Sequence, residues 1–233
     1  MDIIKLYNKD GVEIDTNTYR LIGQGSRANV FEDMINHKVL KVYHSLTPIV
    51  YAINEKLFND LKDINSDVLP QLGECLYHDK KKRFYKPVRA YTSEKIEKDY
   101  TDVLIMNPHR FAVDVAGRLS LLSDQLAEKN ILLSYPKPGN IIVNKDGAFI
   151  VDPDLFEKNK KISEDECSVQ NKLISLKYMK MLVKMCAEYR HNIYDKEEQI
   201  NNIFNIDVNP NTDLTISLYH KLRDDTILKK IKK

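Results

Sequence analysis

The sequence has almost no excess of charge of either sign. Lysine and arginine total 36 and aspartate and glutamate total 34, which leaves a formal net charge of +2. Proteins that bind nucleic acid usually carry a basic face, and this near-balance gives no electrostatic sign of one. The local lysine clusters at 80–82, 158–161 and 229–233 are expected to be solvated surface or chain end. We therefore predict no nucleic-acid partner.

Cysteine is scarce, and long apolar runs are missing. Cys75, Cys167 and Cys186 are widely spaced and form no Cys-x-x-Cys pair, which favours structural thiols in a reducing compartment over a disulfide framework. No run of about 18 apolar residues is present, so no membrane span is expected. The N-terminus, with an acidic second residue, does not read as a secretory signal. We expect a cytoplasmic monomer, and secretion into a host cell by a route that leaves an uncleaved signal stays open.

The sequence does contain enough apolar residues for a core. Hydrophobic residues make up 42% of 233, which suits one domain with a small lobe attached. The first 107 residues are mostly strand-like, with turn residues at Lys9-Asp10-Gly11 and a glycine-rich turn within 23–31. After the glycine-rich turn, residues 47–64 are predicted to form a helix, with Thr47 as N-cap and Pro48 at the first helical position.

The remainder of the chain is mainly helical. Apolar spacing predicts a helix over 112–130 and a second, long helix from about 166 to 191. Between them, Lys145-Asp146-Gly147 separates two apolar runs and is the strongest hairpin signal in the chain. We predict an α+β protein with a β-rich lobe over 1–107, a mainly helical lobe over 108–233, and a ligand-binding cleft between them.

The glycine-rich turn reads "GQGSRANVF" over residues 23–31. Gly23 and Gly25 would let the backbone approach a phosphate closely and point N–H groups at it. A dinucleotide-binding turn would open a helix, whereas strand-like sequence follows here, and a Walker A loop would need a Gly-Lys-Ser/Thr that is missing. An ordinary hairpin turn is an equal alternative.

Two charged residues follow the turn. Lys41 stands among apolar neighbours in "VLKV" and could reach inward to nucleotide phosphates, although a solvent-facing lysine on an edge strand fits the same pattern. Glu55, on the helix that follows, could hold Lys41 extended and charged, although a lone helix glutamate usually faces solvent.

A third group of polar residues surrounds the predicted hairpin in "YPKPGNIIVNKDGAFIVDPD", residues 135–154. Asn140 enters the hairpin and Asp152 ends its return strand, so both oxygen ligands would lie at one end. Mg²⁺ prefers few protein carboxylates combined with phosphate oxygens, and this pair suits it. Ordinary surface polar residues around a turn are the alternative.

The order of these pieces over residues 20–155, about two-thirds of the chain, resembles that of protein kinases. "LIGQGSRANVFED" is similar to the glycine loop of the compact effector kinases that enteric bacteria inject into host cells. The resemblance implies a two-lobed kinase-like fold with a minimal C-terminal lobe, ATP and Mg²⁺ as cofactors, and a protein substrate of the host in virulence. The nucleotide-binding residues that it implies are Gly23, Gln24, Gly25, Ser26, Val30, Lys41, Glu55, Met106 and Asn107. It also implies Asn140 and Asp152 as metal ligands, and Lys41, Lys137 and Asp152 as catalytic residues.

Three departures from the kinase pattern leave the activity open. Tyr135 stands where the catalytic-loop aspartate is expected, Asp152-Pro153-Asp154 replaces the Asp-Phe-Gly triplet, and no Ala-Pro-Glu follows. A long activation segment is therefore not expected. An active Ser/Thr/Tyr kinase, a pseudokinase that serves as a binding module, and a transferase of AMP all remain as readings. Asp154 is a candidate substitute base if the chain bends to bring it under the nucleotide.

Overall fold

The computed structural model describes residues 5–44, 53–78, 88–97, 108–134, 140–144, 146–189, 201 and 203–224. The protein is a mixed α+β chain that divides into two compact units. The first unit comprises Met1–Asn65 and Pro70–Ile96, and the second comprises Ser66–Leu69 and Glu97–Lys233. The predicted lobe boundary at residue 107 lies outside the described residues.

A five-stranded antiparallel sheet forms the first unit, in the order β1-β2-β3-β5-β4. Its strands are β1 Tyr19–Gln24, β2 Ala28–Asp33, β3 Lys38–Tyr43, β4 Leu72–Leu76 and β5 Ala90–Glu94. The turn between β2 and β3 is closed by the buried Asp33 carboxylate, which accepts hydrogen bonds from the backbone N–H groups of Ile35 (3.0 Å) and Asn36 (3.3 Å). His37 takes a positive φ of 52° at this turn.

One face of this sheet carries an apolar core. The buried side chains on this face are Phe31, Leu40, Val42, Leu76 and Ala90, and Leu6 from the N-terminal segment packs on them. Burying each of the larger side chains contributes about 1.5–3 kcal/mol. The chain turns at Lys9-Asp10-Gly11 as predicted, because Tyr7 and Glu13 form an isolated antiparallel bridge and Gly11 takes a φ of 78° between them. That prediction is confirmed.

Helix α1, Glu55–Lys62, packs on the other face of the sheet, where the Phe58 ring lies 5.6 Å from the Tyr91 ring. Asn54 is its N-cap and accepts a 2.8 Å hydrogen bond from the Leu57 N–H. The predicted continuous helix from Thr47 is wrong, because Ile53 and Asn54 are not helical. Residues 45–52, which include the Thr-Pro pair that suggested the earlier start, lie outside the described residues.

The described helices of the second unit are α2 Pro108–Glu128, α3 Glu164–Tyr189 and α4 Leu214–Asp224. Helix α2 packs against both of the others. The spaced apolar residues that predicted α2 are all buried, which confirms it: Val115, Leu119, Leu122 and Leu126. Helix α3 is also confirmed and begins two residues before the predicted start, because Ser163 and Glu166 form a reciprocal capping box ahead of it. No described helix combines the length and the apolar character needed to cross a bilayer.

Two small antiparallel sheets complete the second unit. Strand β6, Ile131–Leu133, pairs with β9, Phe156–Lys158, and β7, Ile141–Asn144, pairs with β8, Gly147–Ile150. The β7–β8 pair is the predicted hairpin, and Gly147 adopts the φ of 139° that its turn requires. A 3₁₀ turn over Pro153–Leu155 joins β8 to β9. The short Ser66–Leu69 segment belongs to this unit because the Ile150 N–H donates to the Val68 carbonyl at 2.8 Å.

Candidate functional site

Several predicted nucleotide-binding residues of the first unit lie in one row across its sheet. Gly23 pairs with Val30, Val30 with Lys41, and Lys41 with Tyr91. Directly paired residues of antiparallel strands point to the same face of a sheet, so this row is on the face opposite the apolar core. Gly23, Val30 and Lys41 are each half-buried.

Two tyrosine rings lie near the Lys41 ammonium. Its Nζ atom lies 5.6 Å from the centroid of the Tyr43 ring and 5.8 Å from that of the Tyr91 ring, distances at which a cation is attracted to a ring face. Strand β3 lies between β2 and β5, so Lys41 is not on an edge strand, and that alternative is wrong. The segment before α1 contacts one of these tyrosines, since the Ile53 N–H donates to the Tyr43 hydroxyl at 3.2 Å.

Glu55 lies in the first turn of α1 and is half-buried. Burial and the Glu55 carboxylate together raise the pKa of Tyr77 above its ordinary range. Tyr77 follows β4 two residues after Cys75, which pairs with Tyr91 in the row that contains Lys41. Helix α1 itself packs on the side of the sheet that carries Lys41, because the Phe58 ring lies 5.6 Å from the Tyr91 ring, and a direct pair between Glu55 and Lys41 stays a prediction.

The glycine turn between β1 and β2 is closed by a 2.9 Å hydrogen bond from the Gly25 N–H to the Ala28 carbonyl. A Cβ atom at Gly25 would lie only 3.3 Å from that carbonyl oxygen, so the turn itself favours glycine there. A Cβ atom at Gly23 would meet nothing closer than the Val30 Cβ at 3.7 Å, an ordinary contact. The fold therefore does not require glycine at 23, which leaves close approach of a ligand as a reason for it. Gln24 and Ser26 are exposed beside these glycines.

Asn140 and Asp152 lie at the same end of the β7–β8 hairpin in the second unit, as predicted. The Val151 N–H donates to the Asn140 carbonyl at 3.0 Å, which extends the ladder by one pair beyond Ile141 and Ile150. Asp152 follows Val151 in an extended conformation, and its Oδ1 atom accepts a 3.1 Å hydrogen bond from the Asp154 N–H. Both residues are half-buried.

The segment between β6 and β7 corresponds to the kinase catalytic loop in the resemblance. Its first residue, Ser134, donates its N–H to the Leu155 carbonyl at 2.6 Å, and Asn140 at its other end accepts from Val151. The two ends of this segment are thus hydrogen-bonded to Leu155 and Val151, the residues that flank Asp152-Pro153-Asp154. The predictions for Tyr135 and Lys137 lie outside the described residues, as do those for Met106 and Asn107.

A buried hydroxyl near Asp152 bears on whether Mg²⁺ fits this end of the hairpin. Tyr178 of α3 is 1% exposed, and its hydroxyl has no hydrogen-bond partner within the described part of the chain. Burial, and to a smaller extent the Asp152 carboxylate, raise the pKa of Tyr178. An unpaired buried hydroxyl costs about 1–3 kcal/mol, so a water or ligand beside it would be stabilising. Asn140 and Asp152 carry an amide oxygen and a carboxylate, which are ligand types that Mg²⁺ accepts together with water and phosphate oxygens, and magnesium binding by this pair stays a prediction.

No larger metal cluster is present in the regions that the structure describes. No group of three or more histidine, cysteine, aspartate or glutamate side chains there could hold an ion. A site built wholly from protein ligands, as structural zinc requires, is therefore not found among those residues. The predicted two-ligand magnesium site does not depend on such a group.

One residue that supports the site was not predicted. The Asn171 side chain of α3 is fully buried, donates to the Ile131 carbonyl at 2.8 Å and accepts from the Leu133 N–H at 2.8 Å. It pairs with the free edge of β6 as a neighbouring strand would, and β6 leads directly into Ser134. A signal was present in the sequence, because Asn171 lies four residues after Cys167 on the buried stripe of α3, where a polar residue needs a partner.

No protein-family model matches the sequence, and no curated protein matches it either. The first unit offers a lysine ammonium and an apolar Val30 on one row, next to an exposed glycine turn. The second unit offers an amide and a carboxylate at the end of a hairpin.

Proposed function

We propose that the protein is an ATP- and Mg²⁺-dependent phosphotransferase that acts on a serine, threonine or tyrosine hydroxyl of a protein, as an effector kinase acting on a host protein would. The observation that carries the proposal is the row of Gly23, Val30 and Lys41 across three neighbouring strands. A glycine turn, an apolar side chain and a lysine that share one face are what a nucleotide requires: backbone N–H groups and an ammonium for its phosphates and a hydrophobic contact for its base.

The proposal gives each residue a role. Lys41 binds the α- and β-phosphates while Glu55 keeps its ammonium oriented, and the turn with Gly23 and Gly25 covers the phosphates. Asn140 and Asp152 would hold Mg²⁺, whose charge neutralises the phosphate oxygens during transfer. By the resemblance, Lys137 would act near the transferred phosphate and Met106 with Asn107 would contact the adenine ring; all three lie outside the described residues.

Control by a long activation segment forms no part of the proposal. Strand β9 ends at Lys158 and α3 begins at Glu164, so only residues 159–163 connect them. A phosphorylated loop that reorders to admit substrate would need a longer connection. We therefore expect activity that does not depend on prior phosphorylation between Asp152 and Glu164.

Tyr135 favours one competing function, a pseudokinase that binds nucleotide without transferring phosphate. A positioned base typically contributes 10²–10⁴-fold in rate, or about 3–5 kcal/mol, and a phenol with a pKa near 10 is a poor base at neutral pH. Nucleotide binding through Lys41 and Asp152 would not suffer. Transfer of AMP rather than phosphate is the other outcome that an assay has to distinguish.

Labelled ATP separates these functions. The purified protein is incubated with Mg²⁺ and either γ- or α-labelled ATP, alone and with a eukaryotic cell lysate. Label retained from the γ-position supports the proposal, and label retained only from the α-position supports AMP transfer. Thermal stabilisation by ATP and Mg²⁺ without retained label supports the pseudokinase.

Matched variants test the assigned residues in the same assay. Lys41→Ala is compared with Lys38→Ala, which removes an exposed lysine at the start of the same strand. Asp152→Asn is compared with Asp146→Asn, which alters an exposed aspartate at the opposite end of the same hairpin. Loss of transfer in the first variant of each pair, with transfer retained in the second, is expected. If Lys41→Ala and Asp152→Asn both match wild type, the site assignment is wrong.

A further inference from the structure

We infer that Tyr77 is a positioning residue: its hydroxyl donates a hydrogen bond to the Glu55 carboxylate and holds that carboxylate where it can orient the Lys41 ammonium. This inference rests on the proposed function, in which Glu55 has that part. The residues that carry it all belong to the first unit. They lie on α1, on β4 and the residue that follows it, and on the N-terminal segment that pairs there.

The Tyr77 hydroxyl is a buried group in need of a partner. Tyr77 is 4% exposed, and its hydroxyl makes no hydrogen bond of standard geometry with any residue that the structure describes. A buried hydroxyl that stays unpaired destabilises a protein, and the large majority of such groups have a partner. An acceptor is therefore expected close to this hydroxyl.

The backbone determines the side of the sheet on which Tyr77 lies. Tyr77 exchanges two backbone hydrogen bonds with Tyr7, at 2.8 and 2.9 Å, and so continues β4 by one residue. The preceding Leu76 lies in the apolar core, and side chains alternate between the two faces along a strand. Tyr77 is therefore directed to the opposite face, which carries Lys41 and helix α1.

Helix α1 runs along β4 in the opposite direction, and two contacts align the helix with the strand. At the C-terminal end of α1, the Lys62 ammonium donates to the Gly73 carbonyl at 2.7 Å. One turn earlier in the helix, the Phe58 ring lies 5.6 Å from the Tyr91 ring, and Tyr91 pairs with Cys75 of β4. A step back along the helix thus corresponds to a step forward along β4.

This alignment brings Glu55 to Tyr77. Glu55, Phe58 and Lys62 are spaced by three and four positions, so they share the face of α1 that is turned to the sheet. Along the helix axis, Glu55 lies about 10 Å from Lys62, at about 1.5 Å per residue. Along the strand, Tyr77 lies about 13 Å from Gly73. Glu55 and Tyr77 therefore lie at the same end of the helix–strand pair.

The electrostatics agree with this geometry. Burial, and after it the Glu55 carboxylate, raise the pKa of Tyr77, which requires the two groups to be neighbours. Because its pKa is raised, the hydroxyl keeps its proton at neutral pH and can donate it to an acceptor. A hydrogen bond to an ionised carboxylate is roughly twice as strong as one between neutral groups. The Glu55 carboxylate is therefore the acceptor that this hydroxyl favours.

A second tyrosine holds the chain just before the helix. The Tyr43 hydroxyl accepts a 3.2 Å hydrogen bond from the Ile53 N–H, and Asn54 then caps α1. With Tyr77 bonded to Glu55, contacts within the first unit fix both the start of the helix and its first side chain. A carboxylate that orients an ammonium needs such a defined position.

The first test is a double-mutant cycle on the protein without nucleotide. Urea unfolding is measured for wild type, Tyr77→Phe, Glu55→Gln and the double variant. If the hydroxyl bonds to Glu55, the unfolding constant of the double variant should differ by at least about threefold from the value that the two single effects predict together. A hydroxyl without a partner would instead give Tyr77→Phe equal or higher stability and additive effects, and this result overturns the inference.

The second test measures ATP binding with Mg²⁺ by titration calorimetry. Tyr77→Phe should weaken binding about tenfold, the lower end of what a hydrogen bond to a charged group contributes. In the Glu55→Gln background, Tyr77→Phe should have no further effect, a result that a merely structural role would not produce. Tyr19→Phe is the matched control, because it removes a hydroxyl beside Asp33 on the core face of the same sheet and should leave ATP affinity unchanged.

Failure of this inference is distinguishable from failure of the proposed function. If Tyr77→Phe binds ATP and transfers label like wild type while Lys41→Ala does neither, Tyr77 has no positioning role and the phosphotransferase proposal stands. If the unfolding cycle shows coupling but wild type does not bind ATP, the contact between Tyr77 and Glu55 is structural only. The positioning role and the proposed function then fail together.

Discussion

Replacing Asn171 with alanine should loosen strand β6 specifically. The Asn171 amide supplies both partners that the outer edge of β6 uses, an acceptor for the Leu133 N–H and a donor for the Ile131 carbonyl, each at 2.8 Å. Alanine supplies neither, and Asn171 is 0% exposed, so water does not replace the amide without local opening. The two backbone groups would therefore be left buried without their partner.

The magnitude follows from what each group loses. A buried backbone group without a partner costs about 1–3 kcal/mol, so two of them cost about 2–6 kcal/mol. The Ile131 carbonyl also accepts from the Cys167 thiol at 3.3 Å, a weak bond that survives the substitution. We therefore expect Asn171→Ala to destabilise the structure around β6 by about 2–4 kcal/mol. A typical domain is stable by about 5–15 kcal/mol, so the variant should still fold.

Hydrogen exchange measures this loss where it occurs. Because a factor of ten in exchange corresponds to about 1.4 kcal/mol, the amides of a peptide covering β6 should exchange about 30- to 1,000-fold faster in Asn171→Ala. A peptide covering β2 and β3 of the first unit serves as an internal reference and should be unchanged. Gln170→Ala, at an exposed neighbouring position of α3, is the matched control variant. An Asn171→Ala protein whose β6 amides exchange within threefold of wild type would refute the assigned role of this amide.

Four other substitutions have effects on stability whose direction follows from the structure. Gly73→Ala should lower the melting temperature and cost about 1–3 kcal/mol, because its Cβ would collide with the Thr92 side chain. Gly23→Ala, which has room for a Cβ, should instead leave the melting temperature unchanged or slightly raised while reducing stabilisation by ATP. For Asp33, burial alone would raise the carboxyl pKa, but hydrogen bonds donated to it from the β2–β3 turn outweigh burial and hold the pKa low. The ionised Asp33 carboxylate therefore stabilises the fold above about pH 4, and this stabilisation is lost as pH falls through the lowered pKa. Asp33→Asn should accordingly be less stable than wild type in urea unfolding at pH 7, and the difference should be much smaller at strongly acidic pH. Ser163→Ala removes half of the capping box of α3 and should cost about 1 kcal/mol in urea unfolding at pH 7.

The sequence predicted those elements whose signals are local. The β7–β8 hairpin follows from its Asp146-Gly147 turn, and helix α2 follows from apolar residues spaced by three and four positions. The start of α1 was predicted wrongly at Thr47 because threonine before proline has the chemistry of a helix start, and Asn54 before Glu55 has it as well. Propensity alone does not decide between two such starts within one segment.

Contacts between distant parts of the chain could not be predicted in this way. The pairing of β3 with β5 brings Lys41 opposite Tyr91, fifty residues away, and only this pairing makes β3 an interior strand. The two hydrogen bonds between the Asn171 side chain and β6 likewise join residues about forty positions apart. Asn140 and Asp152 were predicted to lie together because a single short hairpin connects them. The site was therefore predictable to the extent that one turn determines it.

The alignment of Gly23 with Lys41 depends on a detail that no pattern in the sequence indicates. Leu21 pairs with Phe31, yet Gly23 pairs with Val30, so the register shifts by one residue across Ile22. Without this bulge Gly23 would pair with Asn29 and would face the other side of the sheet, because a shift of one residue reverses the direction of every side chain. Ile22 is 46% exposed, as expected for the extra residue of a bulge. The bulge thus returns the glycine turn to the face that carries Lys41, and the phosphate-binding role proposed for both residues depends on it.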